Sequence, residues 1–390
     1  MIDYEKFIAK KIKNLPYSGI RKFFDIASEM KGVISLGVGE PDFYTPWNIR
    51  ESGIYNIEKG VTSYTANAGI LKLREEISKY LSESYNVNYD AQNQIIVTVG
   101  ASEGIDVALR CMLEDGDEVI YNEPCFVSYK SCIEMAGGVA VAIPTKEENE
   151  FRLTPEDLLS KITDKTKVLL MSYPSNPTGA IMEREDLEKI AKIIIEHDLI
   201  VISDEIYSEL NYTDSRHVSV AEIDGLYERT VLLNGFSKAF SMTGWRLGYL
   251  AGPPVLIEQM LKIHQYIIMC APTTSQYAGI EALKNSHDSV LRMRDEYNAR
   301  RNVMLNGFRS IGLDVFEPLG AFYIFPSIKS TGLSSAEFCE KLLYNQKVAV
   351  VPGDAFGESG EGFVRCSYAA SMENLKKALD GINEFVTSLK

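Results

Sequence analysis

The chain has 390 residues, of which 45% are hydrophobic, 24% charged and 10% aromatic, a composition typical of folded globular proteins and unlike that of disordered or collagen-like chains. At roughly 150 residues per domain, this length predicts two or three domains. The 40 basic and 54 acidic side chains give a formal net charge of −14, so the average surface repels nucleic-acid phosphates and we expect no nucleic-acid partner.

The amino-terminal segment, residues 1–15, mixes acidic and basic side chains without a continuous apolar stretch, which argues against a secretory signal. Apolar runs elsewhere are shorter than the roughly 20 residues of a membrane span, so we expect a cytoplasmic protein without membrane contact. The six cysteines show no C-x-x-C spacing and the four histidines no metal-binding spacing. Reduced thiols are therefore predicted, and a metal site is disfavoured.

From residue 94 onward, short apolar strands alternate with amphipathic helices, the pattern of a βα protein. The predicted strands are residues 94–99, 117–122, 167–173, 199–204 and 230–235. The predicted helices between them are residues 102–114, 125–136 and 183–197, with a further helix beginning at Thr154-Pro155. Because the strands are apolar on both faces, we expect a mostly parallel sheet covered by helices on both sides.

A second, smaller α/β domain is predicted after about residue 285. It begins with a long charged helix over residues 288–310 and ends with a helix over residues 371–389. No Gly/Ser-rich linker separates the two parts, so they should share an interface. The cleft between them is the expected location of the functional site.

The stretch after the last predicted strand carries the most informative residues. Lys238 follows that strand at its carboxyl end, where α/β sheets open into a crevice. Beside Phe236, Phe240 and Trp245 its amine could be desolvated, which lowers a lysine pKa and suits a Schiff base, although position alone favours an ordinary loop lysine. Arg246 lies in a Gly-rich turn that suits a phosphate contact, with a structural salt bridge as the alternative.

This stretch, NGFSKAFSMTGWRLGYLAG, closely resembles the cofactor-lysine motif of class I/II aminotransferases, the fold type I enzymes that use pyridoxal 5'-phosphate. Further motifs recur in the family's order: SLGVGEPDF, SYTANAG, GASE, EPCFVSY, SNPTG, SDEIY and FVRCSYAA. The resemblance runs from about Gly32 to Arg365. It implies an α/β fold of type I, with a large cofactor-binding domain over residues 46–285 and a small domain formed by residues 1–45 and 286–390.

The resemblance also implies roles for the residues around the cofactor ring. Lys238 holds pyridoxal 5'-phosphate as a Schiff base and later moves the substrate's α-proton. Asp204 pairs with the pyridine nitrogen, which makes the ring a better electron sink; by itself it reads as a helix cap after a strand. Tyr207 and Asn176 hydrogen-bond the cofactor's phenolic oxygen, and Phe126 stacks on the ring.

The cofactor's phosphate has a separate set of expected ligands. The turn at Ala101 and Ser102 presents backbone amides and a hydroxyl at a helix N-terminus, which suits an anion, although Ser102 could simply be an N-cap. The resemblance adds Arg246. Many family members carry Ser three residues before the lysine, whereas this chain has Gly235; Ser237, directly before the lysine, could supply the hydroxyl instead.

The remaining expected site residues concern the substrate and a second subunit. By resemblance, Arg365 binds the substrate's α-carboxylate as a bidentate fork, with an interdomain salt bridge as the alternative. Gly39 approaches that same carboxylate through its backbone, and Asn176 lies beside it. Tyr64 resembles a tyrosine that reaches the phosphate of the neighbouring subunit, so we expect a homodimer with shared active sites.

Side-chain specificity is less determined by the sequence. The segment YSGIRKFFDIA, residues 17–27, resembles the substrate-covering segment of the aspartate/aromatic subgroup and of enzymes that act on N-acetyl-diaminopimelate. Ile20 and Arg21 could lie near the side-chain pocket, and Tyr323 could line it. Some bacterial aspartate aminotransferases carry Lys at the position of Ser102, and this chain does not.

We therefore expect a ping-pong aminotransferase that moves the amino group of an aspartate-type or aromatic L-amino acid to a 2-oxo acid such as 2-oxoglutarate. The alternatives are an N-acetyl-diaminopimelate aminotransferase and a carbon–sulfur β-lyase on the same scaffold. A transcription regulator with an aminotransferase-like domain would need a DNA-binding module, and only about 30 residues precede the resemblance, so we expect an enzyme.

Overall fold

The computed structural model describes residues 2–13, 15 and 30–389. The strands are β1 (Ile34–Ser35), β2 (Ile95–Thr98), β3 (Glu118–Glu123), β4 (Val139–Pro144), β5 (Thr166–Ser172), β6 (Ile200–Asp204), β7 (Thr230–Gly235), β8 (Gly248–Ala251), β9 (Tyr323–Ile324), β10 (Val348–Ala349), β11 (Val351–Pro352) and β12 (Val364–Ser367). The helices are α1 (Lys10–Lys13), α2 (Trp47–Glu58), α3 (Leu71–Tyr85), α4 (Ala101–Met112), α5 (Ser128–Met135), α6 (Pro155–Leu159), α7 (Arg184–Glu196), α8 (Pro254–Ile267), α9 (Thr273–Asn285), α10 (His287–Ile311), α11 (Ser335–Gln346) and α12 (Met372–Ser388).

A seven-stranded sheet in the order β2-β8-β7-β6-β5-β3-β4 forms the centre of the molecule. Its strands are parallel except β8, which runs antiparallel to both β2 and β7. The predicted mostly parallel sheet is therefore confirmed. The predicted strands end within about one residue of the observed ones, but β4 and β8 were not predicted.

Both faces of this sheet are covered by helices, as the apolar strands predicted. In β5 the buried side chains alternate: Val168 and Leu170 pack with α4, α5 and α8, whereas Leu169 and Met171 pack with α7. Helices α3 and α9 cover the second face nearer the edge formed by β2. Each fully buried side chain of this size contributes about 1.5–3 kcal/mol of transfer free energy, so the sheet provides a rigid platform.

A second layer contains an antiparallel sheet in the order β11-β12-β9 and a parallel pair, β1 with β10. Helices α10, α11 and α12 pack around these strands. The long helix predicted over residues 288–310 is His287–Ile311, and the last helix is Met372–Ser388. Because β1 pairs with β10, the segment that follows β1 is held between this layer and the central sheet.

Thiols, helix hydropathy, possible metal ligands and one helix cap can be described directly. All six cysteines are free thiols, as the sequence predicted. No helix within the described ranges is long and apolar enough to cross a membrane. Within the same ranges, no group of three or more His, Cys, Asp or Glu side chains is arranged to hold a metal ion. Thr154 caps α6 by accepting a hydrogen bond from the Asp157 backbone N–H, 3.2 Å away, as its sequence context predicted.

Candidate active site

A cavity of about 450 Å³ lies at the carboxyl ends of β5, β6 and β7, the edge of an α/β sheet where ligands bind. The volume suits a small-molecule site. Its lining brings together most of the residues proposed from the sequence. These are Gly39, Ala101, Ser102, Phe126, Asn176, Asp204, Tyr207, Ser237, Lys238, Arg246, Tyr323 and Arg365.

Three of the proposed residues are not part of this lining. Tyr64 is 80% exposed on the chain surface, so its predicted contact with a neighbouring subunit stays a prediction. Ile20 and Arg21 lie outside the described residues. Conversely, the cavity includes side chains that the sequence analysis missed, among them Tyr129, which hydrogen-bonds Asp204, and Glu40, whose charge acts on Lys238.

Lys238 projects into the centre of the cavity from the loop after β7. Its Nζ donates a hydrogen bond to the carbonyl oxygen of Gly39, 2.7 Å away. The rings of Tyr207 and Phe322 face this nitrogen, with centroids 5.7 and 5.6 Å away. The amine is therefore held between the central sheet and the segment that follows β1.

The rings around this amine are not the ones that the sequence suggested. Phe236 and Phe240 are buried in the hydrophobic cluster of α3 and α9, and Trp245 packs against that cluster. Neighbours in sequence alternate in direction at the end of a strand, so rings close to a residue along the chain need not surround it. The desolvation expected for Lys238 is nevertheless present, supplied by other elements.

The electrostatic environment of Lys238 lowers its pKa from 10.5 to about 8. Burial is the largest cause, and the positive charges of Arg365 and Arg246 act in the same direction. Glu40 and Asp204 oppose them. A substantial fraction of the amine is therefore unprotonated near neutral pH, as a nucleophile or general base requires.

Asp204 is the last residue of β6 and is only 5% exposed. One carboxylate oxygen accepts a hydrogen bond from the Tyr129 hydroxyl at 2.7 Å, and the other accepts one from the Ile206 backbone N–H at 3.2 Å. Burial raises its pKa, although both hydrogen bonds and the charge of Lys238 act against the rise. No Lys, Arg or His of the described chain forms a salt bridge with this carboxylate, so it is available to a proton-bearing group of a ligand.

Tyr129 could have been found from its spacing. It lies three residues after Phe126, at the start of α5, where its backbone N–H donates a hydrogen bond to the Phe126 carbonyl oxygen at 3.1 Å. The two rings pack edge to face, with centroids 5.7 Å apart. The same helix start thus carries a ring for the cavity wall and a hydroxyl for Asp204.

The turn between β2 and α4 forms a place for an anion. Gly100 occupies the N-cap position with φ +74°, so Ser102 lies inside the helix and the N-cap alternative for it is wrong. A Cβ at Gly100 would lie 2.6 Å from the Arg246 guanidinium. The free backbone N–H groups of the helix start and this guanidinium therefore converge on one point. Among the described residues, no carboxylate forms a salt bridge with Arg246.

The position of Gly235 leaves little space for a side chain. It is the last residue of β7 and pairs with Gly248 of β8. A Cβ there would lie 3.0 Å from the Gly248 Cα and 3.0 Å from the Leu247 carbonyl oxygen. Serine at this position would therefore require the two strands to separate, whereas Ser237 already lines the cavity.

Arg365 enters the cavity from β12 and is only 3% exposed. Its two terminal nitrogens donate hydrogen bonds to the Asn176 side-chain oxygen at 2.8 Å and the Gly37 carbonyl oxygen at 2.5 Å. Its plane lies against the rings of Tyr323 and Phe356. The Nε has no hydrogen-bond partner, and no carboxylate of the described residues pairs with the group. A buried cation without a counter-ion is costly, so a ligand carboxylate would stabilise this arrangement.

Tyr207 supplies a hydroxyl to the same cavity. Its oxygen lies 2.7 Å from the Tyr323 hydroxyl. Burial raises the pKa of Tyr207 well above 10, so the hydroxyl keeps its proton and can donate to an anionic oxygen. The cavity thus offers an amine, a buried carboxylate, a phenol, an anion-binding turn and a carboxylate-binding arginine within one space.

Comparison with known proteins agrees with this geometry. The family profile described as "Aminotransferase class I and II" matches residues 31–382. The aspartate aminotransferase of Pyrococcus abyssi is 48% identical over 96% of each chain. The Bacillus subtilis "Probable N-acetyl-LL-diaminopimelate aminotransferase" is 43% identical over 98% of this chain and 96% of its own. The crystal structure of an aromatic aminotransferase from Pyrococcus horikoshii superposes with a TM-score of 0.90 at 45% identity, covering 95% of this chain and 99% of that one.

Proposed function

Because the chain belongs to the class I and II aminotransferases, which depend on pyridoxal 5'-phosphate, we propose that it transfers the amino group of aspartate or an aromatic L-amino acid to a 2-oxo acid such as 2-oxoglutarate. The observation that carries the proposal is that Lys238 and Arg365 both line one cavity. The amine has the lowered pKa that covalent attachment requires. The buried arginine has no carboxylate partner among the described residues, so it can bind an α-carboxylate.

The residues of the cavity fit pyridoxal 5'-phosphate. The anion-binding turn and Arg246 suit the phosphate, because the absence of a side chain at Gly100 lets the guanidinium lie close to the start of α4. Asp204 is buried and has no cationic partner among the described side chains, as a partner for a pyridine N–H requires. Lys238 has a pKa of about 8, which suits attachment to an aldehyde. We propose that Phe126, Asn176 and Tyr207 complete the binding of the ring.

In the proposed reaction the cofactor supplies an aldehyde carbon for the amino group and a ring that accepts electrons from the substrate's α-carbon. Arg365 holds the α-carboxylate and so fixes the orientation of the Cα–H bond. Lys238 Nζ would take the proton from the substrate's α-carbon and would then release it to the carbon that the cofactor's aldehyde supplies. Asp204 holds a proton at the ring nitrogen, and Tyr207 donates to the developing negative charge on the phenolic oxygen.

We also propose that the enzyme is a cytoplasmic homodimer, with a large domain over residues 46–285 and a small domain of residues 1–45 and 286–390. Tyr64 supports the dimer because its ring is exposed and far from the cavity of its own chain. Large apolar side chains are also exposed on α2, at the end of α8 and just before α2. They are Tyr44, Trp47, Ile54, Tyr55, Ile57, Tyr266 and Ile267. A second copy of this chain would cover such a surface.

Tyr64→Phe is expected to weaken cofactor retention without changing the KM for the amino acid. The substitution removes one charge-assisted hydrogen bond to the partner's phosphate, worth about 1.5–3 kcal/mol. The dissociation constant of pyridoxal 5'-phosphate should rise roughly 10- to 100-fold, measured by titrating the apoenzyme. Tyr344→Phe, at another exposed tyrosine, is the matched control.

Complementation tests the shared site more sharply. Mixing Lys238→Ala chains with chains of a severely impaired Tyr64 variant should restore activity, since one site of each mixed dimer then has every wild-type residue. Mixing Lys238→Ala with Arg365→Ala chains should restore none, because both residues belong to one chain's site. Full activity of a demonstrated monomer would contradict the proposal.

A panel of amino donors tests the substrate proposal. Aspartate, tyrosine, phenylalanine and N-acetyl-diaminopimelate are each offered with 2-oxoglutarate, and glutamate formation is measured. We expect the highest kcat/KM for aspartate or an aromatic donor. Preference for the N-acetyl-diaminopimelate donor would select that alternative, the activity in the name of the 43% identical Bacillus subtilis relative. Pyruvate and ammonia released from cystathionine without a 2-oxo acid would indicate a β-lyase instead.

A further inference from the structure

The anion-binding turn is held by a side chain that the proposed function does not use. Glu103 lies in the first turn of α4. One oxygen of its carboxylate accepts a hydrogen bond from the Val99 backbone N–H at 2.5 Å. The other lies 2.7 Å from Nδ1 of His264 on α8. Glu103 therefore links Val99, before the turn, and the first turn of α4 to the neighbouring helix α8.

His264 is fully buried, and its Nε2 has no hydrogen-bond partner. The bond to Glu103 is consequently the polar contact that orients this ring among the described residues. Helix α8 itself is fixed, because Ile257 and Met260 belong to the hydrophobic cluster shared with α4 and the central sheet. The histidine is thus a rigid anchor, 161 positions away in the sequence from the carboxylate that it holds.

The anchoring of Glu103 matters because this residue carries a negative charge close to the anion-binding turn. A carboxylate in the first turn of a helix interacts favourably with the positive end of the helix dipole, but it also repels an anion bound at that same end. Here both oxygens of Glu103 are occupied, by Val99 N–H and by His264. The carboxylate is turned toward α8, while Ala101 and Ser102 face the cavity.

We propose that Glu103 and His264 form a positioning pair that fixes the turn from Val99 to Ser102 and directs the carboxylate away from the cavity, so that the pair sets the affinity for the cofactor's phosphate. The inference rests on the proposed phosphate site. It assigns no contact between the pair and the cofactor; both residues act through the turn.

His264→Leu is the direct test, because it removes the donor and leaves the carboxylate free to turn toward the phosphate. Apoenzyme is prepared from the holoenzyme and titrated separately with pyridoxal 5'-phosphate, with pyridoxal and with inorganic phosphate. We expect the dissociation constants of the two phosphate-bearing ligands to rise about tenfold or more, as for a lost hydrogen bond to a charged group. The dissociation constant of pyridoxal, which lacks the phosphate, should change less than about twofold.

Two variants serve as matched controls. His264→Asn keeps a nitrogen donor near the position of Nδ1 and should restore phosphate affinity to within about twofold of the wild type. Asp106→Asn removes a carboxylate one turn farther along α4, where it pairs with exposed Arg110, and should leave all three ligands unaffected. If the leucine variant does not fold, His264→Met also removes the nitrogen partner of Glu103, keeps the carboxylate, and should weaken the same two ligands.

The outcomes separate this inference from the proposed function. An equal loss of affinity for pyridoxal and pyridoxal 5'-phosphate would overturn it, because the pair would then be purely structural. Unchanged affinity for pyridoxal 5'-phosphate in both His264→Leu and His264→Met would also overturn it. Failure of the wild-type apoenzyme to bind pyridoxal 5'-phosphate would instead overturn the proposed site itself.

Discussion

Lys238→Ala is expected to lower kcat for transamination by at least about a thousandfold while leaving the fold intact. A positioned general base contributes roughly 10²- to 10⁴-fold, and this lysine is also the proposed point of covalent attachment. The purified variant should lose the absorbance of lysine-attached pyridoxal 5'-phosphate. Steady-state kinetics, the absorbance spectrum and the thermal unfolding midpoint are measured together.

Lys262→Ala is the matched control, since this lysine is exposed on α8 and bonds only to Gln259. It should keep wild-type kinetics and absorbance. Retained turnover in Lys238→Ala would contradict the assignment. An unfolded variant would be replaced by Lys238→Arg, which keeps the charge but cannot attach the cofactor.

The lowered pKa of Lys238 provides a second readout of the same assignment. The amine attacks an aldehyde only when unprotonated, so cofactor uptake by wild-type apoenzyme should accelerate as the pH rises and level off above about 8. With a lysine of ordinary pKa, the uptake rate would continue to rise up to a pH of about 10.5. Because Arg365 is one of the groups that lower this pKa, Arg365→Gln should move the midpoint to higher pH.

Arg365→Gln is expected to lower kcat/KM for amino acids by roughly 30- to 4,000-fold. Losing one partner of a buried, hydrogen-bonded charge pair costs about 2–5 kcal/mol. Cofactor retention should stay close to that of the wild type, since the phosphate and ring ligands are on other elements. The readouts are kcat/KM for an amino donor and the dissociation constant of pyridoxal 5'-phosphate.

The carboxylate assignment is tested by an amine without a carboxylate. Tyramine lacks the group that Arg365 binds, so the variant and the wild type should act on it at similar, low rates, whereas tyrosine should distinguish them. Arg365→Lys keeps the charge but not the bidentate fork. Its kcat/KM for tyrosine should therefore lie between those of Arg365→Gln and the wild type. Equal losses for tyrosine and tyramine would show that Arg365 acts structurally rather than on the carboxylate.

Much of the site was predictable because it depends on strand ends. Asp204 and Gly235 close β6 and β7, and the carboxyl ends of adjacent parallel strands meet at one edge. The apolar periodicity of residues 94–235 therefore placed Asp204 and Lys238 each at the carboxyl end of a strand, and the resemblance to the family assigned them to one site. The turn at Gly100 followed in the same way from the junction of β2 and α4.

Other parts of the site were decided only by tertiary packing. Lys238 and Gly39 are 199 positions apart, and Arg365 and Asn176 are 189 apart. The pattern of the chain indicates that each belongs to a strand or loop, but not which surfaces meet. The rings expected around Lys238 were wrong for this reason, and the resemblance to a family, rather than periodicity, brought Arg365 into the predicted site.

By itself the sequence determined the elements, the parallel sheet and the side chains at the strand ends, because local periodicity and turn residues control these features. The tertiary structure decided the pKa of Lys238, the unpaired state of Arg365 and the bond between Glu103 and His264. Each of these depends on which groups distant in the chain share a desolvated space. Burial and charge act over a few ångströms in space, whatever the separation along the sequence.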